Sequence, residues 1–136
     1  MNKKILIPIG LLLLDQSTKK LVVWKNLPHL RNSNLFFTQI PPLLLIILSA
    51  IFLTILFLWL KKASHQKNYL FTLSLLLIFT GGLSNLYDRI TLNFVIDWIY
   101  LPFFPFSVLN LADIYITTGL ILSILPTQKN KLDKSQ

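Results

Sequence analysis

Glutamate and cysteine are both absent from this chain. Without cysteine there are no disulfides, no thiol nucleophiles and no thiolate metal sites. Without glutamate, all acid chemistry falls to five aspartates. The two histidines, His29 and His65, have no partner at ligand spacing, so neither a metal nor any other cofactor is expected. Charge is scarce as well. Asp, Lys and Arg make up 13% of the residues, where ordinary soluble domains carry about a quarter. A chain this poor in charge and 54% hydrophobic is neither an ordinary soluble fold nor a disordered segment. There is no internal repeat, and low complexity is confined to the polar tail from Thr127.

The 136 residues are enough for one domain, and residues 1–136 are read as a single transmembrane unit. Four apolar stretches cover about 5–24, 43–60, 69–86 and 108–125. Crossing a hydrocarbon core takes about 17–25 helical residues, so an all-α protein with four transmembrane helices and short outer loops is expected. The first stretch reads as a retained helix rather than a cleaved leader. Its Asp15-Gln-Ser-Thr-Lys-Lys20 interruption is not a small-residue cleavage site, and apolar residues resume at Leu21.

The net charge of +8 does not form a nucleic-acid-binding face. Eight of the thirteen basic residues lie in three places: Lys3 and Lys4; Lys61, Lys62 and Lys67; and Lys129, Lys131 and Lys134. With four spans, both termini and the 61–67 connector share one side, which the positive-inside rule makes cytoplasmic. The outer segments are then 25–42 and 87–107. The second holds Leu101-Pro-Phe-Phe-Pro-Phe106, whose prolines exclude a regular helix. Trp24, Trp98 and Tyr100 suit the membrane interface.

Four of the five aspartates, Asp15, Asp88, Asp97 and Asp113, sit inside or at the mouth of apolar segments. A carboxylate at that depth is a functional-site hypothesis by default. Asp97 and Asp113 fall at the outer ends of neighbouring elements, sixteen residues apart, so a folded-back loop can bring them together. Two carboxylates at close range share a proton. One then activates water while the other polarises a carbonyl. Asn110, three residues before Asp113, shares its helical face and is placed to donate to the pair. Taken singly, each aspartate also reads as a helix cap or an ion-pair partner.

Two further clusters read as structural. In Gly81-Gly-Leu-Ser-Asn-Leu-Tyr-Asp-Arg89, small residues allow close helix packing, and Asp88 with Asn85 and Arg89 locks helices together. Arg89 also suits a substrate carbonyl or a lipid headgroup. Asp15 and Lys19 are spaced for a helical ion pair, with Lys19 expected to snorkel to the outer surface.

Five blocks in order resemble the lipoprotein signal peptidases, the type II signal peptidase family of bacteria. Asp15-Gln-Ser-Thr-Lys19 is similar to D-Q-x-[ST]-K. Asn32-Ser-Asn-Leu-Phe-Phe-Thr38 resembles N-x-G-x-A-F-S, and Gly81 to Arg89 resembles G-A-x-G-N-x-x-D-R. Phe94-Val-Ile-Asp97 resembles the V-V-D block. Asn110-Leu-Ala-Asp113, with Ile116 and Gly119, resembles F-N-x-A-D-x-x-I-x-x-G. The departures are Asn34 and Ser84 for glycine, Phe36 for alanine and Leu109 for phenylalanine. The stretch between Lys19 and Asn32 is shorter than usual in the family, so the sequence does not secure the family's small extracytoplasmic β element.

The resemblance implies an intramembrane aspartic endopeptidase of the bacterial inner membrane, working as a monomer among membrane lipids. Asp97 and Asp113 would be catalytic. Asn85, Arg89 and Asn110 would support them, and Asn32 would help bind substrate. Asp15, Lys19 and Asp88 would be structural. The substrate would be a prolipoprotein with diacylglycerol on its cysteine, cut just before that cysteine. A different class remains open: a non-enzymatic four-span protein, either a small transporter subunit or an inactive lipoprotein-binding relative.

Overall fold

The computed structural model describes residues 3–33, 40–64, 68–103 and 108–125. Asn34, Phe36, His65, Lys67, the Phe104–Phe106 stretch and the lysines of the tail lie outside the described residues. The protein is mostly helical. Its helices are α1 (Lys3–Trp24), α2 (Pro42–Ser64), α3 (Tyr69–Leu92) and α4 (Leu111–Ile124). Between them lie four short strands, β1 (Leu30–Asn32), β2 (Val95–Asp97), β3 (Ile99–Tyr100) and β4 (Val108–Leu109).

Helix α3 is central and packs against α1, α2 and α4. Its apolar seam with α2 joins Leu53, Leu56 and Ala63 to Leu75, Ile78 and Leu86. Against α4 the contact is made by glycines. A Cβ on Gly119 would stand 2.6 Å from the Ser74 carbonyl oxygen, and one on Gly81 would collide with the Ala112 carbonyl. Bare backbone on each helix therefore lets the two axes approach.

Outward faces are apolar. Leu43, Leu58 and Trp59 of α2 are 68%, 58% and 60% exposed. Among the described residues, α2 and α3 are long and apolar enough to cross a membrane. Helix α1 carries Asp15, Lys19 and Lys20, and α4 has only 14 residues.

Helix boundaries differ from the sequence expectation at both ends of the polar region. Helix α3 runs on to Leu92 rather than ending near residue 86, and Asn93 closes it in a left-handed conformation (φ 66°). Asparagine tolerates that backbone better than most residues. The whole Gly81–Arg89 block is therefore helical. Helix α4 starts at Leu111 rather than 108, because Asn110 caps it. The Asn110 side chain accepts from Asp113 N, and the Asp113 carboxylate accepts from Asn110 N. This reciprocal pair satisfies two of the N–H groups that a helix start leaves open.

The expectation of helices and plain loops is corrected by two small antiparallel ribbons. In β1–β2, Leu30 lies opposite Asp97 and Asn32 opposite Val95; in β3–β4, Ile99 lies opposite Leu109. Thus the short first outer segment does supply a strand. Val95, Ile96 and Asp97 are all buried, so β2 is a core strand under the helix ends. Trp98 N donates to Leu109 O at 2.9 Å and ties the two ribbons to the start of α4. Trp98, expected at the interface like Trp24 and Tyr100, is half-buried, while the other two are exposed.

Candidate active site

Asn110 is where the two proposed catalytic aspartates meet. It is fully buried. Its Nδ2 donates to Asp97 Oδ1 at 2.6 Å, and its backbone N donates to Asp113 Oδ2 at 3.1 Å. Strand β2 brings Asp97 to this point, and the first turn of α4 brings Asp113. The remaining carboxylate oxygens are held by amides as well. Asn32 Nδ2 donates to Asp97 Oδ2 at 2.9 Å, and Asn85 Nδ2 donates to Asp113 Oδ1 at 2.8 Å. Asn32 reaches Asp97 because β1 lies beside β2 and presents residues 30 and 32 on one face. It therefore contacts an acid directly, where the resemblance implied contact with substrate.

The two readings of Asp113 turn out to be compatible. Its Oδ2 closes the capping box of α4, and its Oδ1 faces Asn85. A cap is a rigid mount, since the helix start fixes the carboxylate. Burial is the main influence on Asp97 and pushes its carboxyl above the usual range; the Asn32 amide opposes this, and the Asp113 charge adds to it.

A second polar layer lies behind the first. Lys19 is 1% exposed and lies 2.7 Å from Asp15 and 2.8 Å from Asp88. The snorkelling expectation is thereby corrected: two buried carboxylates, one from α1 and one from α3, neutralise the ammonium where it stands. Its third hydrogen goes to Asn85 Oδ1 at 3.1 Å. Asp88 is thus held by Lys19 of another helix, not by its neighbour Arg89.

Asp15 pins three elements. Besides Lys19, it accepts from Ser84 Oγ at 2.7 Å and from Ala112 N at 3.0 Å. The last bond satisfies a first-turn N–H of α4 from 97 residues away. Gln16 Nε2 adds bonds to Ser84 Oγ (2.9 Å) and Asp88 Oδ1 (2.8 Å). Gln16 and Ser84 were not singled out from sequence. The available signal was that Ser84 stands four residues before Asp88 on α3.

Arg89 is half-buried and makes one long bond, 3.4 Å, to its own helix at Asn85 O. Its Nε is buried without a partner. Among the described residues no cluster of His or Asp side chains suits a metal ion. A half-open, mainly apolar pocket between α2 and α3, lined by Trp59, Lys62, Ala63 and Phe71, lies at the far ends of these helices from Asp97.

Residues 7–128 match the family model described as signal peptidase (SPase) II. Proteins named lipoprotein signal peptidase align over parts of the chain. The one from Streptococcus thermophilus (strain CNRZ 1066) is 44% identical over 62 residues, 46% of this chain and 40% of the relative. The one from Streptococcus pneumoniae (strain ATCC BAA-255 / R6) is 33% identical over 75 residues, 55% of this chain and 49% of the relative. These alignments therefore span less than half the length of those relatives. Two solved structures described as a bacterial membrane enzyme, obtained by the in meso method, share the fold. Their TM-scores are 0.73 and 0.75, at 23% and 24% identity, over 89% of this chain and 84% and 89% of theirs.

Proposed function

The chain belongs to the signal peptidase II family, and we propose that it removes signal peptides from prolipoproteins, cutting before a cysteine that carries diacylglycerol. The observation that carries this reading is the joint grip of Asn110 on Asp97 and Asp113. Both acids face amide donors, and among the described residues the cluster's ion pairs are those of Lys19 with Asp15 and Asp88. The acids are thus left free for proton transfer.

In the proposed reaction, the pair holds one proton and titrates as a unit. The ionised partner takes a proton from water, and the resulting hydroxide adds to the scissile carbonyl carbon. The protonated acid gives its proton to the carbonyl oxygen. The tetrahedral diol then collapses: the C–N bond breaks, the leaving amine takes a proton from one acid, and a diol hydroxyl returns its proton to the other, which restores the singly protonated pair. Asn32, Asn85 and Asn110 hold the acids.

Four spans, cytoplasmic termini, a single domain over 1–136, a bacterial inner-membrane setting and a monomeric state complete the proposal. The apolar exposure of α2 supports the membrane setting.

The test is cleavage of lipid-modified prolipoprotein in detergent. Asp97→Asn and Asp113→Asn should each lower turnover by about 10²- to 10⁴-fold while the protein still inserts and folds. Turnover near wild type in either variant would exclude the pair.

A further inference from the structure

The geometry points to Lys19 as a positioning residue that sets the orientation of the Asn85 amide and, through it, the bond on Asp113. An ammonium carries hydrogens only and has no lone pair. Whichever end of the Asn85 amide faces Lys19 Nζ must therefore be its oxygen, as found at 3.1 Å. The NH₂ end is then forced toward Asp113, which it meets at 2.8 Å.

A second obligate donor sets the other amide. Asp113 N can only donate, so Asn110 Oδ1 must face it, at 3.0 Å. The Asn110 NH₂ then points the opposite way, to Asp97 Oδ1 at 2.6 Å and Asn85 Oδ1 at 3.2 Å. The directions of the Asn85 and Asn110 amides follow from one ammonium and one helix N–H. Without Lys19, Asn85 would keep the Asn110 contact at 3.2 Å and the Asp113 bond at 2.8 Å. When the shared proton sits on Asp113, its O–H can also donate to the amide oxygen, and the ammonium is then what forbids a half-turn of the amide.

The charges around Lys19 are Asp15 from α1 and Asp88 from α3, with Asp97, Asp113 and Arg89 beyond the amides. Asp15 and Asp88 hold the ammonium in place, and the amide reads its position. The role differs from simple charge balance, in which the ammonium would do no more than neutralise the two carboxylates.

This inference deepens the peptidase reading and rests on it for the kinetic readout. Lys19→Met alone leaves two buried carboxylates uncompensated and is a poor test. Lys19→Met combined with Asp88→Asn keeps the cluster's charge, since one positive and one negative group are removed together. Asp15 keeps Ser84 Oγ and Ala112 N as donors. The control is Asp88→Asn alone, which retains the Lys19 ammonium.

Side-chain amide NMR in detergent reads Asn85 without substrate. Relative to Asp88→Asn, the double variant should move the Asn85 Nδ2 proton resonances away from their carboxylate-bonded position. It should also lower kcat about tenfold or more, the worth of one charge-assisted hydrogen bond, with KM within about twofold. If the folded double variant matches Asp88→Asn in both readouts, the positioning role is overturned. If the resonances move but the wild type never cuts prolipoprotein, the orientation holds and the peptidase reading falls instead.

Discussion

Asp97 combines full enclosure with two amide donors, and the balance between them gives it a pH signature. Burial is the larger effect and holds its carboxyl above the ordinary range. The folded chain therefore keeps this proton to higher pH than the unfolded chain does. The associated stability is fully present below the unfolded value, about 3.9, and is lost as pH rises through the folded value. Wild-type protein should lose thermal stability across a window opening at about pH 4, and Asp97→Asn should lack that part of the slope. Unfolding midpoints in detergent from acid to neutral pH would measure it. Parallel slopes in the two proteins would rule Asp97 out as the source. Which aspartates gather in the polar cluster was legible in the sequence, because a carboxylate in an apolar segment is conspicuous. The fate of Lys19 was not. Snorkelling and burial depend on whether counter-charges from other helices reach the ammonium, and Asp88 is 69 residues further along the chain. Ser84 was read as a missing glycine, although its hydroxyl is a donor to Asp15.

Helix α3 carries Asn85 and helix α4 carries Asp113, so the separation of these helices sets the bond between the two side chains. Asn85 on α3 must reach Asp113 on α4 at 2.8 Å. The glycine contacts make that possible. A methyl group on Gly119 would meet Ser74 O at 2.6 Å and Ile78 Cγ1 at 2.7 Å, and the backbone oxygen has little room to yield. Gly119→Ala should therefore destabilise the protein by about 1–3 kcal/mol. By contrast, Gly10 in α1 would meet nothing within 4 Å. Gly10→Ala should be neutral or stabilising by up to about 1 kcal/mol. Thermal unfolding of the pair in one detergent compares them, and equal midpoints would remove the close-packing account. The apolar stretches marked the helices well, because length and hydrophobicity are local properties. The strands escaped notice for the opposite reason. Three-residue and two-residue strands have no period to read, and their pairing joins Leu30 to Asp97 across about half of the chain. The end of α3 was misjudged because its polar last turns look like a loop until Lys19 of α1 covers Asp88.

At the scale of the molecule, the proposed topology requires the acid pair and the lysine connector to lie on opposite sides of one membrane. Helices α2 and α3 link them. The first turn of α2 follows the β1 segment, and the α2–α3 junction carries Lys61 and Lys62. Translocating a cluster of lysines is disfavoured, so in the proposed topology the connector is cytoplasmic and Asn32 and Asp97 face outward. A chain without cysteine allows a clean test, since any introduced thiol is the only one present. Ser33 and Lys62 are both exposed, one beside β1 and the other near the end of α2. In intact cells stripped of outer barriers, a membrane-impermeant maleimide should label Ser33→Cys and spare Lys62→Cys; after permeabilisation it should label both. The reverse pattern would place the acids on the cytoplasmic side. The proposed reaction places the scissile bond at the outer face, so acids on the cytoplasmic side would leave the site no access to it, however well Asn110 holds the pair.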